Sequence, residues 1–406
     1  LQKKSENEGW ERQINGLSNN EKANLLLEKH TFKELLADVE QRNLQNNIVG
    51  LEASRLFARS EINMGVDAFR DSLYAMLKRN TFLNIKFENM LDTLGEMSRT
   101  DLYSYLKEWE QLTPLPFYSI GEPELTKVVN KGGEEFFVLK VLVSNNSDYD
   151  GIIQMNVLQN GWWYQPMEDP RARKKVEIAA HTSKEFVSVW EEQIRDVEIN
   201  TMVSGNLPYM IRQSIGNVKQ ERNKIVKDTI YTLPESSLEM PGEVIVDNED
   251  STLFVLSTPA VVGLLPKWLD KVEDTSFKYS GISWWRAPLQ WTATTNAKYY
   301  GKYIRSAYVI KSGDGSQTAT WKIPVPEAGQ YELYYHVFKD DELRWNDRLQ
   351  GEYHFRVAYD SEMEDAYINL RKANEGWEQL GTYYFSADTV RVVLTDECKL
   401  RSVTAD

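Results

Sequence analysis

From the start of the chain to residue 113, apolar side chains recur at helical spacings. Leu25, Phe32, Leu36 and Val39 are separated by seven, four and three residues, which predicts one buried helical face. Ser18 and Glu21 have the spacing of a capping box ahead of it. Phe69, Leu73 and Met76 predict a second helix starting near Asp67. Ser98 and Asp101 repeat the capping signal before Leu102, Leu106 and Trp109, and Thr113-Pro114 stops that helix. Ordinary burial preferences place these apolar and aromatic positions in a helical core.

After Pro116 the period changes to two. Phe137, Leu139, Val141 and Val143 alternate up to the turn Asn145-Asn146-Ser147-Asp148, and Ile153, Met155 and Val157 follow. Val176-Ile178, Val187-Val189 and Val197 through Val203 add strands, a series that predicts an immunoglobulin-like sandwich. Trp162, Trp163 and Tyr164 follow Asn160-Gly161 at a hairpin position, where they face either a ligand or a neighbouring domain. Residues 213–243 carry alternating charge and then Pro234, Ser236, Ser237, Pro241 and Gly242, a linker signature. Beyond it, Tyr331, Leu333, Tyr335 and Val337 alternate, as do Tyr353, Phe355 and Val357, and Val390, Val392 and Leu394. The chain therefore reads as a multidomain α+β protein. A helical domain is expected over 1–116, an immunoglobulin-like β-sandwich over 117–212, a linker over 213–243 and a second β-sandwich over 244–406.

Composition narrows the function. At 406 residues with a net charge of −14, the chain lacks the basic surface that releases counterions from phosphate, which argues against nucleic acid as a partner. The single Cys398 leaves no intrachain disulfide and no multi-cysteine metal site. No run approaches the roughly 20 apolar residues that cross a bilayer, the longest candidate being the short stretch around 261–265. The chain opens at Leu1 without a methionine or a signal-peptide pattern, so it is expected to be part of a longer polypeptide, and absent targeting signals carry no weight.

Chemistry-bearing motifs are sparse. A thermolysin-type zinc site needs two histidines four residues apart with a glutamate as general base. His30, His181, His336 and His354 offer no such pair. His336 and His354 are expected on strands, open to an adjacent placement but more in keeping with packed or rim residues. Cys398 has no histidine nearby in sequence and reads as a small buried hydrophobe. Gly313-Asp314-Gly315 precedes a strand and reads as a turn, not a phosphate loop. The acidic clusters 340–342 and 362–365 lack the EF-hand spacing and read as solvated loops. No catalytic residue, metal ligand or cofactor is expected.

A series of ordered blocks then carries a resemblance. Val246-Asp247-Asn248-Glu249-Asp250 opens it, followed by Lys298-Tyr299-Tyr300-Gly301 and by Gly313-Asp314-Gly315 leading to Ala319-Thr320-Trp321. Pro326-Glu327-Ala328-Gly329-Gln330-Tyr331-Glu332-Leu333 and the segment Gly376-Trp377 to Tyr384-Phe385 come next, and Val403-Thr404-Ala405-Asp406 closes it. This order resembles the carbohydrate-binding-like domain of golvesin and xanthan lyase, with departures in the expanded stretch 258–283 and the charged loop 339–351. The resemblance implies a β-sandwich that binds glycan or another cell-envelope component. Flat sugar faces suit exposed aromatic rings, and the candidate rings are Trp284, Trp285, Trp291, Tyr299, Tyr300 and Trp345, with Trp345 favoured because its loop is otherwise polar.

A second set of residues, Asp67 to Leu73, Phe87 to Leu94 and Leu106 to Pro116, looks like the region downstream of the active site in gluzincin aminopeptidases. That likeness implies an extracytoplasmic, secreted or membrane-anchored protein whose zinc domain, or membrane segment, lies upstream in the same polypeptide. Three functions follow: a non-catalytic glycan- or envelope-binding region, the accessory tail of a zinc aminopeptidase, or a purely structural assembly module that contacts only protein.

Overall fold

The structure is a computed structural model that describes residues 11–12, 14–130, 132–158, 169–222, 226–236, 238, 242–257, 277–282, 286–339, 351–360 and 362–406. Two compact units are present, Asn19–Leu238 and the combination of Leu1–Ser18 with Glu239–Asp406.

The first unit begins with helices α1 (Asn19–Lys29), α2 (Phe32–Ala37), α3 (Gln45–Met64), α4 (Val66–Arg79), α5 (Phe87–Ser98) and α6 (Leu102–Glu108). The expected single stripe of Leu25, Phe32, Leu36 and Val39 is broken, because Thr31 starts a new helix. Its hydroxyl accepts the Glu34 N–H at 3.1 Å while the Glu34 carboxylate accepts the Thr31 N–H at 2.9 Å, a capping box that resets the phase. Phe32 and Leu35 are then buried, and Leu36 and Val39 are exposed. Phe69 and Met76 of α4 face inward as expected, and Asp101 caps α6 through the Tyr103 and Ser104 N–H groups. Leu56, Phe69, Leu91, Leu94 and Leu102 form the helical core. Trp109 packs on Phe32 at 4.6 Å between ring centres and donates its indole N–H to Glu52.

The same unit continues into two sheets. Strands β1 (Tyr118–Ile120), β2 (Glu124–Val129), β3 (Glu135–Asn145), β4 (Gly151–Leu158), β5 (Arg173–Ile178), β6 (Thr182–Trp190), β7 (Asp196–Asn200), β8 (Met210–Ser214), β9 (Val218–Arg222) and β10 (Thr229–Pro234) pair as β10-β6-β3-β2-β9, with β1 on β3, and as β5-β4-β7-β8. Inward positions such as Leu139, Val141, Ile153, Val157, Phe186 and Ile199 form their common core. A buried bond from the Asn24 side chain to the Met202 carbonyl, and the cluster of Ala58, Ile152 and Met202, join helices to sandwich within one unit.

Residues 213–243 are not a linker throughout. β9 runs parallel to β2 and β10 antiparallel to β6. Both are sheet edges with mostly exposed side chains: β9 carries Lys219, Glu221 and Arg222, while β10 has no charged residue and exposes Tyr231 and Leu233, so neither shows a buried apolar period. Pro234 ends β10, where the missing N–H costs little.

The second unit contains β11 (Phe254–Ser257), β12 (Thr292–Thr295), β13 (Ser306–Lys311), β14 (Thr318–Pro324), β15 (Gly329–Val337), β16 (Glu352–Tyr359), β17 (Glu362–Asn369), β18 (Gly376–Phe385), β19 (Thr389–Thr395) and β20 (Ser402–Ala405). They pair as β11-β14-β19-β16-β17, β12-β13-β20 and β15-β18 around one core of large rings and branched side chains, among them Trp321, Tyr335, Phe355, Val392 and Leu394. The segment just before Asn19 belongs here. The Thr295 hydroxyl donates to the Gly16 carbonyl at 3.1 Å. At Gly16, with φ +79, a Cβ would lie 2.2 Å from the Ser280 carbonyl carbon, so only glycine permits this approach.

Candidate ligand face of the C-terminal sandwich

The β15–β18 ribbon has two faces of opposite character. Leu333, Tyr335 and Val337 point into the core, where Tyr331, Leu380 and Tyr383 also pack. Alternation therefore turns Gln330, Glu332, Tyr334 and His336 outward on β15. Register brings Tyr384 opposite Gln330, Thr382 opposite Glu332, Gln379 opposite Tyr334 and Trp377 opposite His336. Thr382 and Gln379 are three residues apart, yet both face out, because the pairing slips between Leu333 and Tyr334 and leaves Leu380 as an extra residue. The Gln379 amide donates to the Thr382 hydroxyl at 3.2 Å across that bulge. At Gly381 a Cβ would lie 2.8 Å from the Tyr383 ring, so glycine lets that ring pack closely beside the bulge.

The outer face is thus a stripe of exposed rings, with Tyr384 at 65%, Trp377 at 48% and Tyr334 at 44% exposure, set among amide, hydroxyl and carboxyl groups. The Tyr334 hydroxyl donates to Glu332 at 2.6 Å, which fixes that ring. From Tyr384 to Trp377 the stripe runs about 20 Å at the usual strand rise.

A second set of rings closes one end. Tyr300 meets Trp377 edge-on at 4.9 Å, and His336 meets Trp377 edge-on at 5.4 Å. Below them lies Asp406, whose side chain is fully buried. Its carboxylate holds the His336 Nδ1 at 2.8 Å and accepts the Tyr300 N–H at 2.9 Å, while its own N–H donates to the Tyr335 hydroxyl. Burial pushes the Asp406 carboxyl up to about 6, against the lowering pull of the His336 hydrogen bond. Asp247 is also raised to about 6, first by burial and then by the carboxylates of Glu249 and Asp406, although the Glu249 N–H bonded to it lowers it. The opening, closing, Tyr299-Tyr300 and Gly376-Trp377 blocks of the sequence therefore meet at one end of the ribbon.

The expected site residues divide. Trp291 and Tyr299 are buried at 9% and 6% exposure, Trp291 inside the core and Tyr299 edge-on to Phe338, so neither offers a stacking face. Tyr300 does belong to the ring cluster. Trp284, Trp285 and Trp345 lie outside the described residues, as do Trp162, Trp163 and Tyr164. His336 and His354 are not on paired strands: β15 pairs with β18, and β16 with β17 and β19, where His354 bonds Asp365 and stacks on Tyr367. Cys398 is half-buried against the core, and burial raises its thiol. Asp396 accepts the Gly315 N–H at 2.8 Å, which makes Gly313-Asp314-Gly315 the expected turn into β14. Among the described residues, no group of three or more His, Cys, Asp or Glu is arranged to hold a metal ion. Tyr334, Trp377 and Tyr384, which carry the exposed face, were absent from the expected set.

Residues 285–406 match the family model described as Golvesin C-terminal domain. No curated protein matches the chain. Among solved structures, a Paenibacillus xanthan lyase is similar at 15% identity and a TM-score of 0.27, with 72% of this chain and 26% of that chain covered. The β-glucuronidase of Bacteroides uniformis is similar at 10% identity and a TM-score of 0.18, covering 76% and 31%. Superpositions this loose carry no argument about fold or activity, and the chain spans no more than about a third of either protein. The C-terminal region of this chain, over residues 285–406, is golvesin-like.

Proposed function

We propose that this chain is a non-catalytic, extracytoplasmic binding region whose C-terminal sandwich holds an extended glycan along the outer face of the β15–β18 ribbon. The observation that carries this reading is the stripe of exposed Tyr384, Tyr334 and Trp377 rings with hydrogen-bonding side chains between them. Rings cover the flat C–H faces of sugars, and Gln330, Glu332, Gln379 and Thr382 suit their hydroxyls. A golvesin-type domain adds the expectation of a carbohydrate-related, extracellular setting. Acidic Glu332 and Glu375 border the stripe, and Lys298 is already paired with Glu375 at 2.9 Å. A neutral or amino-sugar polymer fits that electrostatic surface better than a polyuronate.

Titration of the full chain with neutral and acidic polysaccharides, by calorimetry or affinity electrophoresis, tests the reading. Trp377→Ala should weaken binding by roughly 1–2 kcal/mol, about tenfold, with Tyr334→Ala and Tyr384→Ala acting in the same direction. Trp377 also touches Tyr300 and His336, so Trp377→Phe serves as the conservative companion. Full binding by the triple variant, or binding of polyuronates alone, would sink the assignment to this face.

A second reading, the accessory tail of an upstream zinc aminopeptidase domain, is favoured by one arrangement: α6, with Trp109 just after its last residue, leads through Pro114 and Pro116 into β1. It predicts that the polypeptide preceding this chain contains a paired-histidine zinc helix.

A further inference from the structure

The connection between α4 and α5 joins local positive charge to exposed apolar side chains. From Ser72 to Phe87 the chain carries Lys78, Arg79 and Lys86 and no acidic residue, in a protein of net charge −14. All three basic side chains are exposed, and none forms an ion pair among the described residues. Within the same stretch Tyr74 is 67% exposed, Leu77 52%, Leu83 66% and Phe87 41%, and Phe82 is fully exposed. These rings and leucines are not scattered, because Leu77, Phe82, Leu83 and Phe87 occupy the last turn of α4, the loop and the first residue of α5.

The loop is also built to present them. The Asn80 amide bonds the Met76 carbonyl at 2.8 Å, the Thr81 hydroxyl bonds the Lys78 carbonyl at 2.8 Å, and the Leu83 N–H returns to the Asn80 carbonyl at 2.9 Å. That last bond closes a turn around Thr81 and Phe82, and Phe82 sits in the left-handed region at φ 66. A bulky residue at that conformation, with its ring wholly in water, gains nothing from the fold.

We propose that the α4–α5 loop is a membrane-surface contact, with Phe82 and Leu83 entering the interface of an anionic bilayer and Lys78, Arg79 and Lys86 lying over its headgroups. Membrane binding that holds needs two signals, apolar insertion and charge, and this loop carries both within one turn. Charge complementarity fits the anionic bilayer, since three exposed basic side chains with no carboxylate in their stretch flank two exposed apolar side chains that can enter the interface. No described helix is long and apolar enough to cross a membrane, so the contact is interfacial.

Cosedimentation of the full chain with vesicles tests this. Binding is expected to vesicles of phosphatidylcholine mixed with phosphatidylglycerol, and not to phosphatidylcholine alone, and it should fall as salt is raised. Each of Lys78→Gln, Arg79→Gln and Lys86→Gln should weaken it about fivefold. Phe82→Ser with Leu83→Ser should abolish it, whereas Tyr231→Ser, which removes another exposed ring of the same unit, should leave it unchanged. In Phe82→Trp, emission should shift to the blue on adding anionic vesicles and not neutral ones. Equal binding to both vesicle types, binding that survives loss of Phe82 and Leu83, or no binding to either would overturn the proposal.

Discussion

Asp247 gives the sharpest energetic test of the C-terminal site. Its carboxyl is raised from 3.8 to about 6, chiefly by burial, so the folded unit resists ionising it. The unfolded chain does not. Below about pH 4 both states hold the proton, and the residue contributes nothing to pH dependence. Between pH 4 and 6 the folded state binds more protons than the unfolded state, so stability falls as pH rises, and above pH 6 the loss is complete. A shift of about two units corresponds to a ceiling near 3 kcal/mol. Asp247 retains some contact with solvent and is coupled to Asp406, so the expected cost at neutral pH is about 1–2 kcal/mol.

Asp247→Asn removes the charge and keeps the shape. The side-chain oxygen that accepts the Glu249 N–H at 3.0 Å survives the exchange, so the local turn is preserved. The variant should therefore be more stable than the parent by about 1–2 kcal/mol at pH 7, and the two should converge as pH falls to 4. Scanning calorimetry across that range, reading the transition that the substitution moves, measures it. A variant that is destabilised at pH 7, or whose gain does not shrink on acidification, would refute the argument. If it holds, Asp247 and Asp406 are carboxyls kept at a cost to the fold beside the ring cluster, the expected condition of groups that serve a ligand.

Three other substitutions test separate parts of the fold. Thr31→Ala removes half of the capping box and should cost the first unit about 1 kcal/mol, read by urea unfolding. Among the described residues the buried Tyr118 hydroxyl has no hydrogen-bond partner, so Tyr118→Phe should be neutral or stabilise by about 1 kcal/mol in the same assay, and a clear loss would mean that the hydroxyl is satisfied. Gly16→Ala must shift the Ser280 backbone and adopt a left-handed conformation, so it should cost at least about 2 kcal/mol and expose residues 11–18 to proteolysis.

Much of the architecture was legible because burial imposes period. Leu139, Val141 and Val143, then Tyr353, Phe355 and Val357, lie inward as their alternation required. The reading failed where other forces replaced burial. At Thr31 two backbone-to-side-chain bonds outweighed a hydrophobic stripe that continued through Leu36 and Val39. At β9 and β10 the strands gain their hydrogen bonds from the sheet but expose most of their side chains, so neither shows a buried apolar period and both were concealed in an apparent linker. That Gly16 lies against Ser280, 264 positions away, has no local signature at all.

The proposed ligand face shows a subtler limit. Choosing sites by ring size selected Trp291 and Tyr299, yet a small core of this kind is itself filled with large rings, as Trp321, Tyr335 and Phe355 demonstrate. Exposure itself follows parity. Once Leu333, Tyr335 and Val337 are assigned inward, Tyr334 and His336 must face out, and that half of the stripe was available from sequence alone. The other half was not. Trp377 and Gln379 share a parity that Thr382 and Tyr384 do not, and only the bulge at Leu380 brings all four to one face. A bulge of this type is fixed by pairing with another strand, so no periodicity within β18 could reveal it. The exposed rings therefore form a continuous surface through a single register slip, which makes Leu380 and Gly381, rather than any ring, the residues that align the two halves of the face.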